Sequence, residues 1–402
     1  MRIAYLVSRY PAVNHTFILR EIVTLRALGF DIQTIAIRGA DRPLEQMTAL
    51  ECEEAARTLT VLPAGAPLFA AQWKTLLQRP GAYFAGLLLA LRLAGADPKT
   101  ALFHVFYFLE AVTAGRMAVD RGYSHLHTHF SSTVALIAAR VFGLGLSVTI
   151  HGPDEFRETG FRMRQKVAAS RFISTISHYA RSQIMQASSP ADWPKIEINR
   201  LGVDPEIFQP GPPRTENPGL FHLICVGRLA GVKAQRILLG ACARLLAEGS
   251  KLCLHLVGSG PDRQALEDFT AALGIKEHVI FEGPRNQEEV IALYRQADIF
   301  ALASFAEGVP VVLMEAMAME LPCVATWVNG VPELISQNSE GLLVAPSDFE
   351  GLAEALRLLM QDPALRIRLG RAGRQRVLEE YNLRRNVEGL AEVFRQRLSD
   401  HA

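Results

Sequence analysis

Residues 221–257 read FHLICVGRLAGVKAQRILLGACARLLAEGSKLCLHLV, and their pattern decides the fold. An apolar run, FHLICV, leads through a loop into a segment of helical period, AQRILLGACARLLAEG, and then into a second apolar run, KLCLHLV. Short apolar runs alternating with amphipathic helices mark parallel strands that are buried on both faces and joined by crossover helices. HVIFEG, DIFALAS and PCVATW continue the pattern, so this half reads as a doubly wound α/β sheet.

The opening half follows the same grammar. RIAYLV reads as a buried strand, TFILREIVTLRALG as an amphipathic helix ending at Gly29, and DIQTIAI as a second strand. After Gly122, SHLHTHF, LSVTI and RFISTIS supply further strand-like runs. Between the halves, QPGPPRTENPG (209–219) packs four prolines and two glycines into one polar stretch and reads as a linker. The expected organisation is a first domain at 1–208, the linker at 209–219, a second domain at 220–382, and a helix at 383–402 that packs back on the first domain. Two such sheets facing each other would leave an interdomain cleft at the carboxyl ends of their strands, where ligands of this sheet type bind.

A chain of 402 residues exceeds one ordinary core and suits two domains. Its 42 Lys plus Arg against 41 Asp plus Glu exclude a bulk attraction to nucleic acid or to an anionic membrane, leaving only local contacts. Cys52, Cys225, Cys242, Cys253 and Cys323 are scattered without metal-ligand spacing and read as reduced core thiols of a cytoplasmic protein. MRIAYLVSRYP holds too short an apolar run for a signal peptide. FAGLLLALRLAG (84–95) is the most lipid-like segment, but Arg92 interrupts it well short of the roughly 20 residues of a spanning helix. Two readings stay open for it and for the Leu-, Phe- and Tyr-rich stretch to residue 119: core helices, or a surface that touches a membrane.

Candidate chemistry sits in loops at strand ends. GRLAGVK places Arg228 and Lys233 where two cations could neutralise a diphosphate, or where they are simply solvated. In VGSGPDRQALEDF, Gly258 and Gly260 follow a strand, but Arg263 stands where a dinucleotide fingerprint needs a third glycine. The alternatives are close backbone approach to a ligand and a plain turn. SHLHTHF sets His125, His127 and His129 at period two on one strand face, with no carboxylate or cysteine nearby in sequence to complete a metal site; core or cleft-edge histidines is the preferred reading. His151 falls at a strand end before Gly152 and Pro153. The loop from Tyr10 to Thr16 precedes a helix whose free N–H groups could hold an anion, with Asn14 or Thr16 as a helix cap being the competing account. Finally, AEGVPVVLME (306–315) sets Glu307 and Glu315 around seven uncharged residues in an apolar segment. An unpaired carboxylate there would cost on the order of several kcal/mol, so each needs a partner.

Taken in order, SFAEGVPVVLMEAMA (304–318), PCVAT (322–326), GVPEL (330–334), GRLAGVK (227–233), HGPD (151–154) and GSGP (258–261) resemble the signature of family 4 of the retaining glycosyltransferases. YPAVNHTFILREI (10–22) is similar to the opening loop of members that build exopolysaccharides of the colanic acid type. The resemblance implies a GT-B fold of two facing Rossmann-like domains and a nucleotide-sugar donor, UDP- or GDP-linked. It implies that Arg228 and Lys233 hold the donor diphosphate and that Gly258 and Gly260 lie beside the donor. Glu307 would meet the donor sugar, the Gly308–Val309–Pro310–Val311 backbone would sit at a helix N-terminus, and Glu315 would meet the ribose. His151 would contact the sugar from the other domain, making His151, Glu307, Arg228 and Lys233 the catalytic set. Asn14, His15 and Thr16 would form an acceptor-side loop. Pro310 suits a first helical turn, which places Glu315 about 7.5 Å along the helix. No D-x-D occurs in the chain, so neither an essential divalent ion nor a further cofactor is expected.

The implied partners are the donor and a glycan or polyprenyl-linked acceptor, with no nucleic acid. The implied location is the cytoplasm, with a peripheral contact at the inner face of the cytoplasmic membrane. Asn14 and His15 depart from the usual Ser and Glu of the opening loop, and Glu320 occupies a position that is normally glycine, where positive φ is often needed. Basic runs at Arg162–Arg171 and Arg366–Arg376 read as solvated helix faces or as contacts to anionic headgroups. A sugar-nucleotide epimerase of GT-B-like fold and a non-catalytic sugar-nucleotide-binding protein are the alternative functions.

Overall fold

The computed structural model describes residues 1–63, 65–152, 161–211 and 219–399, and of Asn14 and Phe161 only the backbone. The chain divides into two compact units, Met1–Asn199 with Val387–Ala402, and Arg200–Asn386. The first crossing thus comes at residue 200, ahead of the expected linker, whose residues 212–218 lie outside the described residues. Backbone pairing explains this: Val203 N–H donates to Tyr381 O at 2.9 Å and Leu383 N–H to Val203 O at 3.0 Å, which binds 200–203 into the second unit. Gly202 is pressed so closely on that segment that a Cβ would lie 2.5 Å from Leu383 N.

The first unit holds β1 (Arg2–Arg9), β2 (Asp31–Arg38), β3 (Leu59–Leu62), β4 (His125–His129), β5 (Gly145–Ile150), β6 (Phe172–Thr175) and β7 (Ile196–Ile198). They form one parallel sheet in the order β3-β2-β1-β4-β5-β6-β7. The second unit holds β8 (Phe221–Val226), β9 (Leu252–Val257), β10 (Val279–Gly283), β11 (Ile299–Leu302), β12 (Cys323–Thr326) and β13 (Leu342–Val344), parallel in the order β10-β9-β8-β11-β12-β13. β3, β7 and β13 escape a reading of hydrophobic runs because each is an edge strand of three or four residues. Each sheet reverses direction once, between β1 and β4 and between β8 and β11. Loops leaving the carboxyl ends of strands at such a reversal diverge and leave a crevice.

The helices at 80–119 are core helices on one face. Ala90 and Leu93 of Pro80–Ala94, and Phe108, Ala111 and Val112 of Pro98–Val119, are core residues. Phe84 and Leu88, with Leu102 and Phe103, nevertheless stand exposed on the opposite faces. Pro98–Val119 is long and apolar enough to cross a membrane by length and composition alone, yet half of its most apolar window is buried against neighbouring elements.

In the basic run at Arg366–Arg376, four arginines bind backbone carbonyls. Arg366 is buried and donates to Leu359 O at 2.6 Å, Arg368 reaches Asn338 O at 2.9 Å, and Arg376 reaches Glu333 O at 3.0 Å. Arg374 binds Ala318 O and, at 3.1 Å, Phe208 O. These guanidinium groups satisfy carbonyls at segment ends, which water would otherwise have to do. In the other run, Arg162 donates to Leu93 O at 2.8 Å and Lys166 is buried. Of the cysteines, four are buried and Cys52 is partly exposed.

Glu320 adopts φ 59°, the left-handed conformation usually given to glycine. It follows the helix Val311–Ala318, where Glu320 N–H donates to Met317 O and Leu321 N–H to Ala316 O, at 3.0 Å each, the paired bonds of a Schellman end. A side chain there is strained, so Glu320→Gly is expected to raise stability by about 1 kcal/mol, less what glycine's freedom in the unfolded chain takes back, as read by urea unfolding.

Candidate active site

In the second unit the expected donor residues converge on the reversal between β8 and β11. Lys233 closes a 3-10 turn, Gly231–Lys233, in the loop after β8, and Glu307 lies in the loop after β11. Lys233 Nζ donates to Glu307 Oε1 at 2.6 Å, with 19% and 8% of the two side chains exposed. Ser304 Oγ donates to the same oxygen at 2.6 Å, and Glu307 N–H points to Asn329 Oδ1 at 3.4 Å. Phe305 N–H joins the two loops through Val232 O at 2.8 Å. The pair crowds Cys225, whose thiol burial pushes up to about 12, keeping it protonated and inert.

Around that pair the chain is fitted backbone to backbone. A Cβ on Gly258 would lie 2.2 Å from Gly227 O, one on Gly260 2.1 Å from Leu229 O, and one on Gly330 2.4 Å from Gly308 O. The two glycines of GSGP therefore admit the chain's own GRL loop, a close approach in which the partner is the protein itself. Pro310 stands one residue outside the helix Val311–Ala318 as its N-cap, and it has no side-chain capping bond. Gly308 and Val309 precede it, so the helix opens toward the loop that carries Glu307. Farther along, half-buried Glu315 accepts the Tyr294 hydroxyl at 3.2 Å, which also reaches Val312 O at 3.3 Å. Arg228 is exposed and has no ion-pair partner among the described residues. Ser304, Asn329 and Tyr294 were not read as site residues from sequence. Ser304 stands inside the quoted signature, whereas Tyr294, on another helix, leaves no local signal.

The first unit assembles its own candidates at the reversal between β1 and β4. Thr16 is the first residue of the helix Thr16–Ala27 and not its cap; the cap position is His15, which makes no side-chain capping bond. His15 Nδ1 lies 3.2 Å from Arg9 O, and its ring stacks on Phe130 at 5.0 Å. Phe130 and Phe17 both lie 4.8 Å from the His151 ring. The backbone of Asn14 is in the same turn, while Asp154 of the HGPD stretch lies outside the described residues.

The strand histidines are core residues, all three on β4 and all buried. The carboxylate that sequence proximity withheld comes from Glu21, which with His127 and His129 forms one group whose ligand atoms lie within 4.8 Å of each other. Their ring nitrogens already have neighbours: His125 Nε2 and His127 Nδ1 lie 2.8 Å from Ser147 Oγ, and His127 Nε2 lies 3.0 Å from Thr149 Oγ1. His222, Cys253 and His255 form a second such group, with His222 Nδ1 3.0 Å from His255 Nε2 and His255 Nδ1 2.9 Å from Glu282. Both groups have a donor set that a transition metal accepts.

Burial pushes His125 down to about 3 and holds His127 and His151 well below the usual imidazole range. In the unfolded chain these rings take up protons below about pH 6.5, whereas the folded chain resists until far lower. Their contribution to stability is therefore complete above pH 6.5 and lost as pH falls toward the folded values. Urea midpoints are expected to drop between about pH 6.5 and pH 4, with a shallower slope in His125→Gln.

Residues 212–376 match the family model described as Glycosyl transferases group 1. The amylovoran biosynthesis glycosyltransferase AmsK of Erwinia amylovora is 26% identical over 412 residues, covering 98% of this chain and 99% of that one. WcaL of Escherichia coli (strain K12), named as a colanic acid biosynthesis glycosyltransferase, is 27% identical over 383 residues, covering 90% and 91%. Among solved structures, Anabaena Alr3699/HepE in complex with UDP-glucose aligns with a TM-score of 0.73 at 17% identity, covering 98% of this chain and 100% of its own. Sucrose-phosphate synthase from Thermosynechococcus elongatus aligns at 0.76 and 19% identity over 100% of both chains. These likenesses show the GT-B fold, and the names of the sequence relatives do not favour an epimerase or a non-catalytic protein. Residues 212–376 thus match a group 1 glycosyl transferase domain, and the chain, which has the GT-B fold, is similar along nearly its whole length to glycosyltransferases named for amylovoran and colanic acid biosynthesis.

Proposed function

We propose that this enzyme moves a sugar from a UDP- or GDP-linked donor to a glycan or polyprenyl-linked acceptor in cell-surface polysaccharide biosynthesis, with retention at the anomeric carbon and without an essential metal. The observation that carries the reading is the meeting of Lys233, Glu307 and the uncapped end of Val311–Ala318 at the strand reversal of the second sheet. A helix N-terminus beside a lysine is a diphosphate site, and Arg228 adds a cation that no described carboxylate neutralises. Glu307 and Glu315 are carboxylates, which repel phosphate but accept paired hydrogen bonds from vicinal hydroxyls, so the sugar and the ribose are their proposed partners. The complex of Alr3699/HepE with UDP-glucose supports a donor of this class.

In this reading the acceptor hydroxyl attacks on the face from which the diphosphate leaves, and a leaving-group oxygen takes its proton. Arg228, Lys233 and the helix N-terminus stabilise the charge that develops on the diphosphate, the main catalytic contribution. Gly258 and Gly260 keep the GRL loop seated, His151 contacts a sugar hydroxyl as a neutral imidazole, and His15 and Thr16 belong to the acceptor-side loop with Asn14. For the lipid-linked acceptor, the support is an apolar surface on three successive helices. Phe69, Trp73 and Leu77 repeat at fourth positions of Gly65–Gln78, all exposed, next to the exposed rows that begin at Phe84 and Leu102. Aromatic and aliphatic side chains with Lys74, Arg92 and Lys99 among them suit the headgroup region of an anionic bilayer at the inner face of the cytoplasmic membrane.

A panel of nucleotide sugars is expected to yield one donor that raises the melting temperature. Glu307→Gln is expected to lose about a hundredfold or more in transfer while still binding the nucleotide, and Glu315→Gln to weaken nucleotide binding. NMR of the product is expected to show the donor's anomeric configuration, and EDTA to leave the rate unchanged. Co-sedimentation with anionic vesicles is expected for the native chain and not for Trp73→Asp combined with Phe103→Asp. A native chain that neither binds nor turns over any donor overturns the reading.

A further inference from the structure

The transfer chemistry leaves the buried histidines of β4 without a task, and they form a chain with a direction. Glu21 Oε1, on the helix Thr16–Ala27, accepts the Tyr5 hydroxyl at 3.0 Å and lies 3.1 Å from His129 Nε2. His129 Nδ1 lies 2.8 Å from His151 Nε2. Tyr5, Glu21, His129 and His151 are all buried, so water does not compete for these bonds. Burial holds the Tyr5 phenol well above its usual range, which keeps it a donor to Glu21.

The rest follows from which atoms can donate. The Glu21 oxygen that accepts the Tyr5 hydroxyl also faces His129 Nε2, and as an acceptor there it calls for the ring proton on that nitrogen. A ring whose single proton sits there presents a lone pair at Nδ1, and the ring nitrogen facing that lone pair is an N–H. The proton of His151 is then on Nε2, and Nδ1 is its accepting nitrogen. His127 Nε2, 3.2 Å from His129 Nε2, fits this order as a second acceptor, and its hydroxyl neighbours Ser147 and Thr149 can turn to suit.

We infer that Glu21 and His129 are positioning residues for His151, holding it through two successive hydrogen bonds as the Nε2–H tautomer so that any sugar hydroxyl meeting the ring at Nδ1 must donate. The wrong tautomer of a site histidine makes a good contact a poor one without moving an atom of the backbone. This inference rests on the proposed sugar contact of His151 for its consequence, although not for its geometry.

Histidine side-chain 15N NMR of the native chain, with resonances assigned through His151→Gln and His129→Gln, tests the geometry directly. Both His129 and His151 are expected as Nε2–H tautomers, and a His151 protonated on Nδ1 overturns the inference. In Glu21→Gln the amide can turn either its oxygen or its NH2 toward His129, so both rings are expected to populate the other tautomer. The kcat is expected to fall about tenfold or more while the donor KM stays within about twofold, the split a misoriented group produces and a general loosening does not. An unchanged kcat would reduce Glu21 to a packing residue. Should the variant not fold, the native spectrum still decides. A native chain with the expected tautomers but no transfer activity counts against the proposed function and leaves the tautomer assignment standing.

Discussion

A carboxylate removed from water must be met by a cation or by several donors, and the second unit is arranged around that requirement at Glu307. Lys233 and Ser304 both bind one of its oxygens at 2.6 Å. These bonds tie the loop after β11 to the loop after β8, the two loops that flank the sheet reversal. With Glu307 buried, Lys233 cannot be removed cheaply, because the carboxylate would be left out of water without its cation. The close seats of Gly258 and Gly260 on the GRL loop, and of Gly330 on Gly308, keep these loops in register with one another. The result is a pair already in place beside an uncapped helix end.

Around β4 the first unit carries a buried polar set of its own, made of imidazoles and hydroxyls, with Glu21 as the one carboxylate in the chain from Tyr5 to His151. Phe394, fully buried on the last helix, lies 5.0 Å from the His127 ring and 5.3 Å from Phe172, so carboxyl-terminal residues help to keep this set dry. A connected polar network of this kind favours one arrangement of side chains, since rotating a bonded ring would strand a donor or acceptor. The network reaches His151, among Phe17 and Phe130 and close to the turn that carries His15.

Much of this was legible along the chain. The alternation of apolar runs with amphipathic helices declared two doubly wound sheets, because strands buried on both faces and helices buried on one leave different periods in sequence. The motifs at strand ends carried the resemblance to a retaining glycosyltransferase and set Lys233 and Glu307 on loops and Glu315 on the helix that follows. Glu320 announced a left-handed residue by standing where glycine is usual. Short edge strands such as Ile196–Ile198 and Leu342–Val344 were not legible, since three residues carry no period. The carbonyl acceptors of Arg374 and Arg376 were not legible either, because they lie on distant segments.

The sequence by itself determined the architecture and the loops that bear the chemistry, because hydrophobic period and strand-end motifs are local properties. Only the tertiary structure decided which groups partner which. Glu307 is separated from Lys233 by 74 positions and Glu21 from His129 by 108, and pairing over such distances depends on strand order, which no local pattern encodes. Strand order turned three histidines without a carboxylate into a chain anchored on one, and a stranded charge in an apolar run into half of an ion pair.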